Sequence, residues 1–408
     1  MSVRPAGPAF FPLDEELALL PGRLTPRLQE ALVRLSTHIP SFAKAAAELA
    51  WFTQAAVHAD TARRLTEAAG ATAVLLETAE AAHILQTHPV PPSAPERLVL
   101  SVDGAMIPLV HGQWTEVRTL AVGEVTENAP TTDRALLHTT NLSYFSRRTD
   151  SATFADQALA ELHRRGIETA RRVAAVTDGA EWCQQFIELH APAAVRILDF
   201  AHAAEYLSAI GQTRGAAGPV LSAGDLERLR HALKHAGPER VLTEVRELVA
   251  AHPDLRELPK QLAYLEKRVA HMQYPHYQAA GWPIGSGMVE SANNLVVEDR
   301  LKGAGMRWAD ANVNPMLALR NAICNDRWED VWTRIEATHC RQSAERRRTR
   351  QAQRCRSGKP GQPAARPGTG PTEAAPTQPR LPELSAKPPH PWKRPWSIRR
   401  QRDLAGAT

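Results

Sequence analysis

Apolar residues cluster in short runs through the middle of the chain, and this pattern predicts β-strands. Residues 98–102 are apolar and β-branched and are followed by Asp103 and Gly104. We expect a buried strand that ends at the carboxylate, with Gly104 opening a turn. Residues 114–125 and 138–145 have the same character and are predicted to form two more strands. An acid at the end of a buried strand is typical of a metal site, and equally of a side chain that caps a turn.

Two further segments repeat this arrangement of a short apolar strand followed by an acid. Residues 172–179 carry Asp178 before a glycine, and residues 194–200 carry Asp199. Helical patterns at residues 151–165 and 181–190 separate the strands. The order β-β-β-α-β-α-β is that of a ribonuclease-H-like core, so we expect an α/β fold with a mixed sheet and helices on its faces.

The segment after these strands is predicted to be helical. Residues 202–274 show helical apolar spacing without strand-like alternation, interrupted near residues 211–218 and 236–238. Charged residues interleave with the apolar stripe, which indicates a partly solvated outer face. We therefore expect an all-α insertion that projects from the sheet.

A third carboxylate lies beyond this insertion. Glu290 is just inside a predicted helix at residues 289–300, and we expect Gly285 and Gly287 to let the start of that helix pack closely on the sheet. A final helix is predicted at residues 315–335.

The N-terminal part has a helical pattern over residues 24–86, after a weaker one at residues 14–20. Helices are predicted at residues 42–49 with Ser41 as N-cap, at residues 58–69 closed by Gly70, and at residues 71–87. Two short helices joined tightly suit a helix-turn-helix, in which Arg63 and Arg64 would contact DNA. The alternative is an ordinary helical bundle packed on the sheet. A proline-rich linker, with Pro89, Pro91, Pro92 and Pro95, leads into the first strand.

Composition excludes several classes of protein. No run of 18 apolar residues occurs, so we expect no membrane span. The N-terminus lacks the pattern of an export signal, which favours a cytoplasmic location. The 4 cysteines are scattered without a C-x-x-C pair, as expected of reduced thiols rather than of disulfides or a zinc site.

Charge is distributed unevenly. Residues 341–408 contain 16 Lys or Arg, 4 Asp or Glu and 11 prolines, so the rest of the chain carries a net charge of −7 against the total of +5. Such a tail buries too little apolar surface to fold alone and is predicted to be disordered. A basic tail on an acidic body is common in nucleic-acid-binding proteins, and the alternative is a tail that only aids solubility.

Long strings around the three acids resemble a known family. The string S-V-D-G-A-M-I-P-L-V-H-G-Q-W-T-E-V-R-T-L around Asp103 resembles the first catalytic block of DDE transposases of bacterial insertion sequences, specifically the ISKra type. V-T-D-G-A-E-W and L-D-F-A-H-A-A-E-Y resemble the second block and the segment after it. G-W-P-I-G-S-G-M-V-E-S-A-N-N-L-V-V-E-D-R-L-K-G-A-G-M-R-W resembles the third. The similarity covers about residues 96–332, and the N-terminus and the Pro/Arg-rich tail depart from the family.

The resemblance implies a metal-dependent DNA transposase that cleaves transposon ends and transfers the strands to a target. It implies that Asp103, Asp178 and Glu290 are the catalytic acids. Asp199 and His202 match the Asp/Cys-x-x-His signature that follows the second acid in related transposases. The expected partners are double-stranded DNA and further copies of the chain, as a homodimer or larger homo-oligomer on DNA in the bacterial nucleoid.

The chemistry of the residues agrees with this expectation. Two divalent ions about 3.5–4 Å apart activate the nucleophile and hold the leaving oxygen in phosphoryl transfer. Mg²⁺, or Mn²⁺, prefers oxygen ligands, so three carboxylates suffice. Asp103 would bridge both ions, Asp178 would bind one and Glu290 the other. His202 is expected either to contact the scissile phosphate or flanking DNA, or to hydrogen-bond Asp199 as a buried histidine.

Other charged residues lie near the third acid. Glu298 and Asp299 follow Glu290 too far along the helix to replace it, about 12 Å for Glu298, and Glu181 is expected to complement a helix dipole. A basic and aromatic group is predicted to bind the DNA backbone and stack on bases, with a solvated loop and a core tryptophan as the alternative. Its members are Arg300, Lys302, Arg307 and Trp308.

The predicted division of the chain follows from these assignments. It comprises an N-terminal helical region at 1–92, the catalytic core at 96–204, the all-α insertion at 205–275, the core's C-terminal helices at 276–338 and the tail at 339–408. Two functions remain as alternatives to transposition: a domesticated or inactive copy that binds DNA without cutting, and a ribonuclease-H-like nuclease. The insertion favours transposition, because paired DNA ends must be held.

Overall fold

A computed structural model describes residues 24–127, 137–215 and 218–356. Its centre is a sheet in the order β3-β2-β1-β4-β5. The strands are β1 (Arg97–Pro108), β2 (Trp114–Glu127), β3 (Leu137–Arg147), β4 (Arg172–Thr177) and β5 (Val195–Leu198). β1 pairs antiparallel with β2 and β2 with β3, whereas β1, β4 and β5 run parallel. The predicted α/β class with a mixed sheet is confirmed.

Helices surround this sheet. Three precede it, namely α1 (Pro26–His38), α2 (Phe42–Thr53) and α3 (Ala59–Thr87). Two lie among its strands, namely α4 (Ser151–Arg164) and α5 (Glu181–His190). Those of the insertion are α6 (Phe200–Gln212), α7 (Ala223–Ala236), α8 (Pro238–Ala251), α9 (Glu257–Lys267) and α10 (Tyr274–Ala279). Those after the insertion are α11 (Gly287–Ala292), α12 (Asp299–Leu301), α13 (Asp310–Cys324) and α14 (Trp328–Arg356).

The first strand is longer than the sequence indicated. β1 continues through Asp103, and Gly104 pairs with Arg118 of β2, so the turn expected at Gly104 is wrong. The alternation of buried positions persists through Ala105 and Ile107, which prolongs the strand. The chain turns only at Val110–Gly112.

The N-terminal helices form a bundle against the C-terminal ones. α3 is continuous through Gly70, so the predicted helix end there is wrong. A Cβ at Gly70 would overlap the backbone of Pro315 in α13, so the glycine serves a close helix crossing rather than a C-cap. Arg63 and Arg64 form ion pairs with acids of their own helix. These features match the helical-bundle alternative better than a DNA-reading helix.

Two buried arginines bind the end of α1. Arg300 Nε donates to the Ser36 carbonyl at 2.9 Å, and Arg320 Nη1 donates to the Thr37 carbonyl at 3.5 Å. The last carbonyls of a helix lack partners within the helix and carry its negative dipole end, so the guanidinium groups satisfy both needs. The N-terminal bundle is thereby attached to the segment that follows Glu290.

An asparagine ladder covers the edge strand β3. Three asparagines in α13 and just after it each bind one residue of β3 or its C-terminal end through two hydrogen bonds. Each side-chain amide accepts from the backbone N–H of that residue and donates to its carbonyl. The pairs are Asn314 with Arg148, Asn321 with Ser146 and Asn325 with Tyr144. Their spacing of seven and four residues places them on one helix face. An uncovered edge strand is a template for aggregation, and here side-chain amides take the place of a further strand.

The insertion is helical and lies between β5 and α11, as predicted, with a break formed by the short pair Arg214–Gly215 and Gly218–Pro219. It does not project from the sheet, however. Leu229, Val245 and Leu262 share one hydrophobic cluster with Val176 of β4 and Ile197 of β5. The insertion therefore covers one face of the sheet as part of the common core.

The C-terminal part differs from prediction at two places. The single helix expected at residues 315–335 is divided into α13 and α14 near Asp326, whose φ is 55°. α14 then continues to Arg356, so the tail predicted to begin at residue 339 is helical at its start. Residues 339–356 lack proline and are rich in Arg, Gln and Ala, which are good helix formers. The rest of the predicted tail, residues 357–408, and the weak helical pattern at residues 14–20 lie outside the described residues.

No helix in the described part of the chain combines the length and apolar character needed to cross a membrane.

Candidate active site

The strand register brings the first two acids level with each other. β1 and β4 pair with an offset of 75 residues, from Arg97 with Arg172 to Leu100 with Ala175. The same 75 residues separate Asp103 from Asp178. Adjacent strands lie about 5 Å apart. Asp178 directly follows the end of β4, as predicted, and its backbone is therefore beside that of Asp103.

Asp103 projects to the face that carries the third acid. Ala105 and Ile107 lie two and four residues after Asp103 and so share its face of the strand. Both belong to the same hydrophobic cluster as Val289 and Ala292 of α11. Asp103 Oδ2 accepts a hydrogen bond from Asn293 Nδ2 at 3.0 Å, and Oδ1 accepts from the Gly104 N–H at 2.7 Å. Burial raises the pKa of Asp103, and the negative charges of Asp178, Glu290 and Glu116 raise it further. The three predicted acids thus share one electrostatic environment.

The insertion holds the turn at the second acid. Tyr264 Oη donates to the carbonyl of Asp178, and Arg268 Nη2 donates to the carbonyl of Gly179 at 2.7 Å. Gly179 has a φ of 78°, and a Cβ there would overlap the Arg268 side chain. The Asp178 carboxylate accepts from the Ala180 N–H at 2.8 Å in the loop that precedes α5. α9 and the segment after it therefore fix the backbone on which Asp178 stands.

Glu290 is exposed on α11, and the start of this helix is anchored through Asp199. The Asp199 carboxylate is buried and accepts from Ser286 Oγ at 2.7 Å and from the Ala201 N–H at 3.0 Å. The same loop is also held by a backbone hydrogen bond from the Phe200 N–H to the Ile284 carbonyl, at 2.9 Å. Asp199 thus joins the end of β5 to the loop that leads into Glu290. The expected close packing of Gly285 and Gly287 is wrong, because a Cβ at either would meet open space.

A fourth carboxylate that the sequence did not single out also lies here. Glu116 of β2 extends across Gly104, where a Cβ would overlap its carboxylate, and it pairs with Arg118 at 2.7 Å. Its charge contributes to the raised pKa of Asp103. Glu116 is opposite Met106, two residues beyond Gly104 on the same strand face, and only the register of the hairpin relates Glu116 to Gly104.

Cys183 lies beneath the two aspartates. Its Sγ is 3.6 Å from Asp178 Oδ1 and 3.6 Å from the Val102 carbonyl. Burial raises its pKa well above the ordinary range, and the charges of Asp178 and Asp103 act in the same direction. Cys183 is therefore a neutral thiol that packs under the site rather than a nucleophile.

His202 contacts Glu205, Tyr206 and Tyr264 rather than Asp199, so the alternative of a hydrogen bond to Asp199 is wrong. Its imidazole is partly exposed, contacts the stacked rings of Tyr206 and Tyr264, and lies 3.6 Å from Glu205. Because Tyr264 contacts Asp178, His202 lies on the insertion side of the site and faces solvent. A contact of His202 with DNA stays a prediction.

The basic and aromatic group predicted to bind DNA is largely internal. Arg300 is 1% exposed and stacks between Phe42 and Trp308. Burial, with the charge of Arg320, lowers its pKa to about 10. The Trp308 ring is buried and donates to the Leu301 carbonyl at 3.1 Å. The predicted roles of Arg300 and Trp308 as DNA contacts are wrong, because packing removes both from the surface.

The two other members of this group remain at the surface. Lys302 pairs with Glu298 at 2.5 Å, and Arg307 is exposed. Glu298 is the last residue of a π-helical turn at Asn293–Glu298, and Asp299 follows it. Contacts of Lys302 and Arg307 with DNA stay predictions.

The donor set suits hard divalent cations. Asp103 is hydrogen-bonded to the Asn293 amide and feels the charges of Asp178 and Glu290, and Asn293 Oδ1 is buried without a hydrogen-bond partner among the described residues. Within residues 24–127, 137–215 and 218–356, no three His, Cys, Asp or Glu side chains converge on one point to hold a metal ion. A two-ion arrangement with Asp103 shared needs only pairs of carboxylates, Asp103 with Asp178 and Asp103 with Glu290.

Replacing Ser286 by Ala is expected to destabilise the fold by about 1–3 kcal/mol, because a buried carboxylate oxygen of Asp199 loses its donor. The matched control is Ser101→Ala, which removes a buried hydroxyl that has no partner in the described structure and should be neutral or stabilising. Urea unfolding measures both. Equal effects of the two substitutions would contradict an anchoring role for the Ser286–Asp199 bond.

No protein-family model matches the chain, and no curated protein matches it.

Proposed function

We propose that the chain is a DDE-type DNA transposase of the ISKra type with a ribonuclease-H-like core, which cleaves transposon-end DNA and transfers the strands in a divalent-metal-dependent reaction. The observation that carries the proposal is that the charges of Asp178 and Glu290 both act on Asp103, although the three acids come from distant parts of the sequence. The strand order β3-β2-β1-β4-β5, with the first acid on the central strand, supports the fold assignment.

Each acid has a defined role in this proposal. Asp103, on which the charges of both other acids act, would hold both ions, Asp178 would hold one and Glu290 the other. The ions, when bound, lower the pKa of the attacking water or 3′-hydroxyl and stabilise the leaving oxygen. Burial and the charges of the neighbouring acids raise the pKa of Asp103, which supports this arrangement because a buried carboxylate among like charges is costly until cations neutralise it.

The insertion has a second role in this proposal. Its Tyr264 and Arg268 hold the carbonyls of Asp178 and Gly179, so it orients an acid besides covering the sheet. Deletion of the whole insertion would expose the apolar face of β4 and β5, and it is therefore a poor test of function. Point substitutions at Tyr264 or Arg268 separate the two roles.

The test uses the full chain and duplex DNA from both flanks of its gene. We expect single-strand nicking and joined products with Mg²⁺ or Mn²⁺, and neither with EDTA. Sequence-independent nicking without joining would favour the ribonuclease-H-like nuclease. Binding without cleavage under all metal conditions would favour the domesticated DNA-binding copy and overturn the proposal.

The basic C-terminal segment is proposed to bind DNA phosphates. Removing residues 357–408, which carry nine Lys or Arg and three Asp or Glu, should weaken DNA binding at low salt. The slope of log affinity against log salt should flatten by about 0.9 for each phosphate that the truncated chain no longer neutralises. The same measurement on a chain truncated after residue 340 also removes the helical residues 341–356. The difference between the two truncated chains gives the contribution of those residues to DNA binding. An unchanged slope in both truncated chains would show that the segment does not bind phosphates.

A further inference from the structure

Asn293 is an unexplained polar residue within the proposed site. It lies one turn after Glu290, is 7% exposed, and begins the π-helical turn Asn293–Glu298. Its Nδ2 donates to Asp103 Oδ2 at 3.0 Å, whereas its Oδ1 is buried and has no partner among the described residues. Buried polar atoms in proteins nearly always have partners, so this oxygen indicates one that the described part of the chain does not supply.

The orientation of the amide follows from its neighbour. An ionised Asp103 only accepts hydrogen bonds, so the amide nitrogen must face it and the oxygen must point elsewhere. The Asp103 carboxylate is also the proposed ligand shared by the cations. A cation held by Asp103 keeps water molecules, whose oxygens bind the cation and whose hydrogens point outward as hydrogen-bond donors. The free oxygen of Asn293 has the acceptor character that such a water needs.

The backbone around Asn293 is held in an unusual form. Arg320 of α13 donates to the carbonyls of Leu295 and Val296 within the π-helical turn. π-helical turns are rare and often lie at functional sites, because the additional residue changes the direction of the side chains that follow. A buried guanidinium thus stabilises the turn that begins at Asn293.

We propose that Asn293 is a positioning residue of the divalent-cation site: its amide nitrogen orients Asp103, and its amide oxygen accepts a hydrogen bond from water on the bound cation. This inference rests on the proposed function, since it assumes that Asp103 holds a cation. It adds a residue that the three-carboxylate arrangement does not contain.

The chain offers a closely matched control. Asn294 is the next residue, has the same side chain and is exposed. Mn²⁺ binding to the full chain without DNA is measured by calorimetry for wild type, Asn293→Ala, Asn293→Asp and Asn294→Ala. Loss of a partner that orients a metal ligand typically lowers metal affinity by about 10–100-fold, and we expect this for Asn293→Ala. Asn294→Ala should bind as wild type does.

Asn293→Asp distinguishes the proposal from a merely structural role. It keeps an acceptor oxygen at the same distance from the backbone but lacks the amide donor to Asp103, so it should recover part of the Mn²⁺ affinity that Asn293→Ala loses. Thermal melting in EDTA shows whether each variant is folded. If Asn293→Ala does not fold, Asn293→Asp alone is compared with wild type.

The possible results separate the two claims. Mn²⁺ binding by wild type with equal affinity in Asn293→Ala overturns the role of Asn293 and leaves the proposed function standing. Equal loss of affinity in the folded Asn293→Ala and Asn293→Asp variants also overturns it, as does an Asn293→Asp variant that does not fold. Wild-type protein that binds no Mn²⁺ overturns the inference and the proposed function together.

Discussion

An Asp103→Asn variant is expected to lose DNA cleavage by on the order of a thousandfold or more while its fold becomes no less stable. Residues that act as one catalytic unit cause losses of at least this order when a single member is removed. Asn cannot supply the negative charge that two shared cations need, although it matches Asp in size. Cleavage of end DNA in Mg²⁺, with melting of the same preparation in EDTA, measures both effects.

The stability part of this prediction follows from the raised pKa of Asp103. A carboxyl group whose pKa is higher in the folded than in the unfolded state favours folding below the unfolded value of about 3.9, and this contribution is lost as pH rises through the folded pKa. At neutral pH the ionised group therefore opposes folding. Neutral Asn removes that cost, and the melting temperature in EDTA should stay equal or rise.

Metal addition provides a second comparison. Mg²⁺ should raise the melting temperature of wild type, because a ligand that binds only the folded state stabilises it, and should raise that of Asp103→Asn less. Glu298→Gln is the matched control for removing one carboxylate. Glu298 lies at the end of the π-helical turn that follows the helix of Glu290, and it pairs with Lys302. It should cleave DNA as wild type does. Wild-type cleavage by Asp103→Asn would refute the assignment of the acids.

Much of the sheet was predictable because its signals are local. Short apolar runs predicted each strand and the order of strands and helices along the chain, and Asp178 lies where a strand stops against a glycine with positive φ. Asp103 was placed near the end of its strand because Asp-Gly usually marks a turn. Here Gly104 is inside the strand and gives room to Glu116 from the neighbouring strand. That reason is non-local, and the single sequence does not contain it.

The errors in the basic group have a similar origin. Arg300 and Trp308 resemble a surface patch in the sequence, but Arg300 packs between Trp308 and Phe42 and binds the end of α1, more than 250 residues earlier. The asparagines of α13 likewise resemble ordinary polar positions until the edge of β3 is placed beside them. Helical periodicity predicts that a face exists and does not identify its partner.

A Gly70→Ala variant is expected to lose about 2–3 kcal/mol of stability, although alanine is the better helix former. The added Cβ would overlap the carbonyl and Cα of Pro315, which are backbone atoms and cannot rotate away as a side chain does. α3 and α13 must then separate. α13 carries the asparagines that cover β3, so the displacement would reach the edge of the sheet.

Gly224→Ala is the matched control for this prediction. Gly224 lies in the first turn of α7, is exposed, and has only Ser222 Oγ near its Cβ position, at 3.8 Å. Alanine there should stabilise the protein by up to about 1 kcal/mol, because it restricts the unfolded chain without a clash. Chemical unfolding of wild type and the two variants gives effects of opposite sign if Gly70 permits the helix crossing. A gain in stability in Gly70→Ala would instead show that the two helices accommodate a methyl group. Gly70 would then have neither the C-cap role expected from the sequence nor the packing role proposed for it.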